Sequence, residues 1–361
     1  MSFSVKTKVE IGEENLDFFK NLKNYRILFV CDPFVVKSRM IEKFTSIVNP
    51  SSQIRIYDKI KPDPSVEIVG EIKADLMDFR ADYVIAIGGG SCIDAAKASI
   101  YNYYRSNGPK LNFIVIPTTA GTGSELTNFA VITEGDSKKV LIDDLMLADY
   151  ALLIPSLTRT VPNFISADTG MDVLTHALEA YISKNANSFT DILALKAIDL
   201  VFSSLKKVYD DGDRISLRKN MIEASAMAGI AFNNAGLGIC HSLAHTIGGN
   251  FHISHGRLNA ILLPYVLKHN AENSEYARLK LNELAEKCGL SSYVDIIDKV
   301  EELSSSMGIP SNLRSLGKID ENQYKNSLDK MAEAAMNDMC TPSNPAVVIK
   351  FDLRNLLSDA Y

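Results

Sequence analysis

Short apolar runs, each stopped by turn residues, recur through the first third of the chain: RILFVCD from Arg26, SQIRIYD from Ser52, ADYVIAIGGG from Ala81 and LNFIVIPTTAGTGSE from Leu111. A run that is apolar on consecutive rather than alternate residues has both faces covered, as in a parallel sheet, and parallel strands need crossover helices between them. The pattern predicts an α/β, Rossmann-like parallel-sheet domain over residues 1–160. From about Val161 the strand signal fades, and SFTDILALKAIDLVFSSLKKVYD and NLRSLGKIDENQYKNSLDKMAEAAMND carry apolar residues at helical spacing. Residues 161–361 are therefore expected to form an all-helical domain, divided from the first near IPSLTRTVPNF, where two prolines punctuate the chain. A length of 361 residues suits two domains of ordinary size.

Composition narrows the partners. A net charge of −6 without a basic stripe offers no electrostatic footprint for nucleic acid, and small molecules are the expected partners. No apolar run approaches a membrane-spanning length, and the opening MSFSVKTKVEIGEEN lacks the basic-then-apolar layout of a signal peptide, so the expected location is cytoplasmic. The five cysteines (Cys31, Cys92, Cys240, Cys288, Cys340) are scattered and contain no C-x-x-C pair. That argues for reduced, mostly buried thiols rather than a disulfide framework or a thiolate metal site.

Two of the apolar runs end in phosphate-grade loops. IGGGSCIDAAKA (Ile87 to Ala98) places three glycines between a strand and an Ala-rich helix, where backbone can approach a phosphate and the helix start favours negative charge. It is not the G-x-G-x-x-G spelling, and alone it is equally well read as a tight turn. PTTAGTGSE (Pro117 to Glu125) follows the next run, so both loops are expected at the carboxyl side of one sheet, where open α/β sheets bind ligands. Asp32, at the end of FVCD, can bind ribose hydroxyls and repel a 2′-phosphate, favouring NAD over NADP; a turn-capping role is the plain alternative.

Histidine is scarce and clustered. Four of the six lie in HSLAHTIGGNFHISHG, His241 to Gly256. Residues four apart share a helix face, so Asp172 and His176 project together, as do His241 and His245, and the stripe Leu174, Leu178 and Ile182 is expected to carry the first pair inward. A carboxylate and imidazoles without thiolates suit a divalent metal such as iron or zinc. Spacing alone favours His241 and His245 as ligands and leaves His255 open. Any one of these histidines, taken singly, is better explained by an ordinary hydrogen-bonded role in core or surface; it is the accumulation of pairs that favours a metal.

At these residues the chain resembles the iron-containing (group III) alcohol dehydrogenases along essentially its full length. GGGSCIDAAKA, PTTAGTGSE, ADTGMDVLTHALEAY and GICHSLAHTIGGNFHISHGRLNAILLPYV match that family's motifs in order and at similar spacing. TGMDVLTHALEAYIS, SFTDILALKA and GGNFHISHG are most similar to its propanediol-utilisation 1-propanol dehydrogenases. The resemblance implies Asp172, His176, His241 and His255 as ligands of Fe(II), with zinc an alternative ion, and His245 as a non-ligand proton relay. It implies NAD contacts at Asp32, Asp63, Gly89, Gly90, Ser91, Asp94, Thr118, Thr119, Val131, Lys139 (or its neighbour Lys138) and Leu157. His252 is read as loop or pocket wall and His269 as helix surface. Cys92 and Tyr265 stand where many members have proline and histidine, and LLIPSLT lacks the aspartate that usually precedes its proline. CTPSNP keeps the family's Asn344-Pro345.

What the resemblance implies is reversible hydride transfer between NAD(H) and a short primary alcohol or aldehyde, propanal or acetaldehyde first, with the ion as Lewis acid. It also implies a homodimer or larger homo-oligomer, and admits a bacterial microcompartment as an alternative location. A polyol dehydrogenase of the glycerol type is the nearest rival. A sugar-phosphate cyclase, for which no Arg and Lys cluster is present, and a catalytically silent scaffold component rank below it.

Overall fold

The computed structural model describes residues 3–135 and 137–361. The chain divides into two compact units, Ser4–Val161 and a helical one of Pro162–Tyr361 that also takes in Phe3.

The first unit contains β1 (Lys8–Ile11), β2 (Arg26–Cys31), β3 (Gln53–Tyr57), β4 (Tyr83–Gly88), β5 (Asn112–Pro117), β6 (Phe129–Glu134), β7 (Ser137–Ile142) and β8 (Tyr150–Leu153), with helices α1 (Pro33–Lys37), α2 (Glu42–Thr45), α3 (Val66–Phe79) and α4 (Gly90–Arg105). Six strands form one sheet in the order β1-β8-β5-β4-β2-β3, paired parallel throughout, and β6 and β7 form a separate antiparallel hairpin. The continuous apolar runs have the expected cause. Leu28, Val30, Val84, Phe113 and Val115 pack on one face against Ile72, Leu76, Ala96 and Ile100 of α3 and α4, while Ile27, Phe29, Ile85, Ile87 and Ile114 pack on the other against Phe19 and Phe44.

The Ser52 run behaves differently from the rest. It is the edge strand β3, and Ile54 and Ile56 are 37% and 41% exposed, so the same β-branched composition here marks an edge and not a buried strand. β1, β8 and the hairpin escape the apolar-run pattern because β1 and β8 have only four residues each and β6 alternates buried with half-exposed positions. The register brings the loop-leading strand ends to one edge. Cys31 pairs with Ile87 and Gly88 with Pro117, so Asp32, Gly89 and Thr118 leave three neighbouring strands side by side.

The helical unit comprises α5 (Asn163–Ile182), α6 (Ser188–Asp210), α7 (Ile215–Ala235), α8 (Ile239–Phe251), α9 (His255–Asn273), α10 (Glu275–Lys287), α11 (Tyr293–Ser306), α12 (Glu321–Met336) and α13 (Lys350–Asp359). Helix α6 starts where a capping box starts it: the Asn187 side chain accepts from the Phe189 and Thr190 amides, and the Thr190 hydroxyl receives the Asn187 amide. The segment from Asn312 is helical over a shorter span than its apolar spacing predicts. Gly317, at φ 64, closes a turn, and α12 begins after Asp320, whose carboxylate accepts from the Gln323 amide at 2.8 Å.

Helix α5 is the centre of this unit. From Gly170 to Ile182 every residue is buried, the signature of a helix with neighbours all round, and it packs on α6, α7 and α9. Among the described residues, no helix is long and apolar enough to cross a membrane.

Close approach of α6 to α5 depends on Gly170, because a Cβ there would lie 2.2 Å from the Leu205 Cδ1. Overpacking of this kind costs about 1–3 kcal/mol, which outweighs the roughly 1 kcal/mol that alanine gains over glycine in a helix. Gly170→Ala is therefore expected to lower stability, read as a reduced midpoint in denaturant unfolding.

Candidate metal centre and dinucleotide loops

Three helix segments of the helical unit bring the clustered histidines together. Asp172 and His176 come from α5, His241 and His245 from α8, and His255 is the first residue of α9. Ligand atoms of Asp172, His176 and His241 lie within 4.8 Å of one another, all three residues buried. His255 Nε2 is 3.7 Å from Asp172 Oδ1, and His241 Nε2 is 3.9 Å from the same oxygen. The His176 ring is sandwiched, stacking on Phe232 at 4.5 Å and on His241 at 4.6 Å.

The donor set fits a divalent cation. Burial alone would raise the Asp172 carboxyl, but His176, His255, His241 and the Asn259 amide together hold it below the usual carboxylate range. Burial drives His241 and His255 well below the ordinary imidazole value, keeping them neutral with lone pairs to give. One further contact shows where those lone pairs point. The Asn259 Nδ2 donates to Asp172 Oδ1 at 2.7 Å and lies 3.1 Å from the Nε2 of both His241 and His255. Asp172 Oδ1 and two imidazole Nε2 atoms gathered around one amide NH2 group are a donor set suited to a metal ion.

Glu179, which the sequence did not single out, and Asn344 of CTPSNP fix this geometry. Glu179, one further turn along α5, accepts from His241 Nδ1 at 2.5 Å, which sets the tautomer and leaves Nε2 facing Asp172. Its other oxygen accepts from the Cys240 amide at 2.7 Å, and burial pushes its carboxyl up to about 7 against these donors. Gly238 is required here, since a Cβ would come within 2.7 Å of Glu179 Oε1. Asn344 caps the same helix start, accepting from the Ile239 amide, and exchanges amide hydrogen bonds with Asn270.

His255 is delivered by a clasp. Asp168 receives Arg257 Nε at 2.6 Å and Ser254 Oγ at 2.9 Å, and a Cβ on Gly256 would lie 2.3 Å from the Asp168 carbonyl oxygen. Only a glycine lets that turn lie on α5.

His245 is placed differently from its spacing partner. Its Nδ1 is 2.9 Å from Asp338 Oδ2, its ring stacks on His255 at 5.1 Å, and it meets His241 at a steep angle 6.2 Å away. Helical spacing identified the shared face correctly, but a carboxylate from beyond α12 turns the ring into a His–Asp pair. Asp338 lies 93 residues away along the chain, so no local pattern announces it. Burial works to raise its carboxyl, yet His245 and the Cys340 amide hold it down to about 2. His252 ends α8 at φ 52 in an exposed loop. His269, read as helix surface, is half-buried, with Nε2 enclosed and its basicity lowered by that burial.

In the first unit, Asp32 Oδ2 accepts from the Gly89 amide at 2.7 Å, and burial raises its carboxyl against that donor. Gly89 and Gly90 open α4, Ser91 follows in its first turn, and the second loop with Thr118 and Thr119 lies directly alongside. A Cβ on Gly90 would come within 2.6 Å of the Thr122 Cγ2. The glycines thus serve close loop packing as well as leaving backbone amides bare at a helix start.

Other expected cofactor residues have structural partners of their own. Asp94 accepts from Ser124 Oγ at 2.6 Å and from the Val131 amide at 2.9 Å, so two expected contacts bind each other. Leu157 is 1% exposed, its side chain inside the core. Asp63 pairs with Lys138 Nζ at 2.6 Å, whereas Lys139 reaches Glu134. The hairpin register places Val131, Thr133 and Lys138 on one face and Lys139 with Ile132 on the other, which favours the alternative lysine.

Beneath both loops sits Lys97, which the sequence reading passed over. Its Nζ donates to Ser124 Oγ, Thr127 Oγ1 and the carbonyls of Thr127 and Phe129 at 2.7–3.1 Å. Burial lowers it to about 8 despite Asp94 and Glu125 nearby, and burial raises Glu125 to about 7.

Matches to known proteins agree with this geometry. The model of the family described as iron-containing alcohol dehydrogenase covers residues 7–155, and that of the Fe-containing alcohol dehydrogenase family, C-terminal, covers 166–361. The chain belongs to the iron-containing alcohol dehydrogenase family. Within it, the 1-propanol dehydrogenase PduQ of Citrobacter freundii is 38% identical, with 99% of each chain covered. The NADPH-dependent butanol dehydrogenase of Clostridium saccharobutylicum is 37% identical over 100% of this chain and 98% of its own. The solved iron-containing alcohol dehydrogenase of Thermococcus thioreducens superposes with a TM-score of 0.93 at 31% identity, covering 100% of this chain and 99% of that one.

Two outcomes follow from these contacts. Glu179→Gln is expected to weaken metal retention about 10–100-fold, measured by competition with a chelator. Glu125 binds a proton in the folded state up to about pH 7 that the unfolded chain releases near pH 4.5, so its share of stability falls as pH rises across that window. Unfolding of Glu125→Gln followed from pH 4.5 to 7 is expected to show a shallower decline.

Proposed function

We propose that the chain is a metal-dependent, NAD(H)-linked alcohol dehydrogenase that interconverts a short primary alcohol and its aldehyde. The observation that carries this reading is the convergence of an ionised Asp172 with the neutral His241 and His255 at one point beside His176, in a chain of this family. Asp172, His176, His241 and His255 would hold the ion, which supplies Lewis acidity to the substrate oxygen when bound.

The protein's own residues do the rest. The loops at Gly89–Ser91 and Thr118–Thr119 would seat the pyrophosphate, held in place from below by Lys97 and Asp94. Asp32, with one oxygen engaged by Gly89, would offer the other to the ribose hydroxyls and disfavour a 2′-phosphate. His245 would exchange the substrate proton at Nε2, with Asp338 fixing its tautomer through Nδ1. The first unit is then the dinucleotide-binding domain and the helical unit the metal-binding one. A cytoplasmic homo-oligomer is the expected setting.

Propanal leads the substrate panel because two relatives named 1-propanol dehydrogenase cover nearly the whole chain. A diol reading has one observation in its favour: a solved structure called 1,3-propanediol oxidoreductase superposes with a TM-score of 0.89 at 30% identity.

The test is anaerobic NADH and NADPH consumption with propanal, acetaldehyde and lactaldehyde, and NAD reduction with glycerol and 1,3-propanediol, on metal-stripped protein reloaded with Fe(II) or Zn(II). NADH-dependent aldehyde reduction that needs metal, and is lost in His255→Ala, is the expected result. Silence with all aldehydes alongside turnover of the polyols would replace it with the diol reading. His245→Ala is expected to lower kcat about 10²–10⁴-fold, and Asp338→Asn to lower kcat while leaving the KM for NADH unchanged.

A further inference from the structure

We propose that His245, Asp338 and Cys340 form a second metal site, which captures zinc and blocks turnover by immobilising His245. The inhibitory half of this inference rests on the proposed function; the binding half stands on the geometry alone. A ring nitrogen of His245, a carboxylate oxygen of Asp338 and the Cys340 Sγ lie within 4.8 Å of one another. The carboxylate already bridges the other two: Oδ2 receives His245 Nδ1 at 2.9 Å and Oδ1 receives the Cys340 amide at 2.8 Å. Ser242 Oγ, 3.3 Å from Oδ1, holds it from another side.

Tetrahedral zinc places its N, O and S ligand atoms about 3.3–3.6 Å apart, so the three donors need to close by little more than 1 Å. His245 is fixed on α8, and Asp338 and Cys340 lie on the tight turn that follows α12. The His245 side chain is 28% exposed and gives solvent access, whereas Cys340 is buried. The primary cluster contains no sulfur; this one does, and a thiolate shifts selectivity towards zinc and away from oxygen-preferring ions. On binding, the ion takes the Nδ1 lone pair of His245 as the ring proton moves to Nε2, the Cys340 Sγ proton is released to solvent, and no electrons are exchanged. A water would complete the fourth position. With its Nδ1 bound to zinc, His245 loses the hydrogen bond to Asp338 that orients it, and it can no longer relay a proton. The ion in the primary cluster stays where it is.

The experiment uses the full chain with one equivalent of Co(II) in the primary cluster, titrated with more Co(II) and followed in the near ultraviolet. A second equivalent is expected to bind with a thiolate-to-cobalt charge-transfer band, because only the second group offers sulfur. The band should be absent in Cys340→Ser and Asp338→Asn and retained in Cys288→Ser. In parallel, excess Zn(II) should inhibit aldehyde reduction by the wild type and be reversed by a chelator. Cys340→Ser, measured against its own zinc-free rate, should require at least about 10-fold more zinc for the same fractional inhibition. Saturation at one equivalent without the band, or a band that survives Cys340→Ser, overturns the site; equal inhibition of Cys340→Ser overturns its inhibitory role. A cysteine-dependent band in a protein that reduces no aldehyde would sink the proposed function and leave the binding site standing.

Discussion

Asp172 is an anion held almost entirely out of water, 4% exposed, in the middle of a helix buried on every side. A carboxylate in that position normally takes up a proton or recruits a lysine or arginine. This one is held ionised by imidazoles and a single asparagine amide. Burial disfavours the protonated forms of His241 and His255, so the imidazoles supply less than a full counter-charge. That shortage is the physical basis of the metal centre, and much of the helical unit is arranged to preserve it.

The arrangement is costly in backbone freedom, and glycines meet the cost. Gly238 lets Glu179 reach the start of α8, and Gly256 lets the turn before α9 lie against the Asp168 carbonyl. Each clash involves a residue that positions a member of the cluster: Glu179 orients His241, and the Asp168 carboxylate with Arg257 and Ser254 delivers His255. The first unit uses the same device at Gly90, where two loops come too close for a side chain, and adds a buried lysine on α4 whose four acceptors, on Ser124, Thr127 and Phe129, tie that helix to the chain leaving the second loop. In both units the groups expected to touch ligand stand on a second set of polar residues that never need to.

Legibility followed range. Asp172 with His176 and His241 with His245 were readable because four residues is one helical turn, and the strand-to-glycine loops because glycine after an apolar run has few local explanations. Asp338, Glu179 and Lys97 were not, since an Asp, Glu or Lys in a helical sequence usually faces water, and nothing nearby signals otherwise. Lys139 illustrates the limit at short range. Deciding between it and Lys138 required the pairing register of β6 with β7, which favours Lys138 and which alternation within one strand does not supply. Asp94 and Val131, both expected as cofactor contacts, hydrogen-bond to each other, a pairing that only the fold shows.

The amino-acid sequence by itself determined the class of each half, because the period of burial, continuous in the sheet and helical beyond Val161, is a local property of the chain. It also determined which residue types were available for chemistry, while spacing alone left His255 open. Tertiary structure alone decided what each histidine does. His241 and His245 share one helix face, but Glu179 from α5 turns the first towards Asp172, and Asp338 from beyond α12 turns the second away. An imidazole's role is set by the partner on its other nitrogen, and that partner arrives through folding, from 62 residues away in one case and 93 in the other.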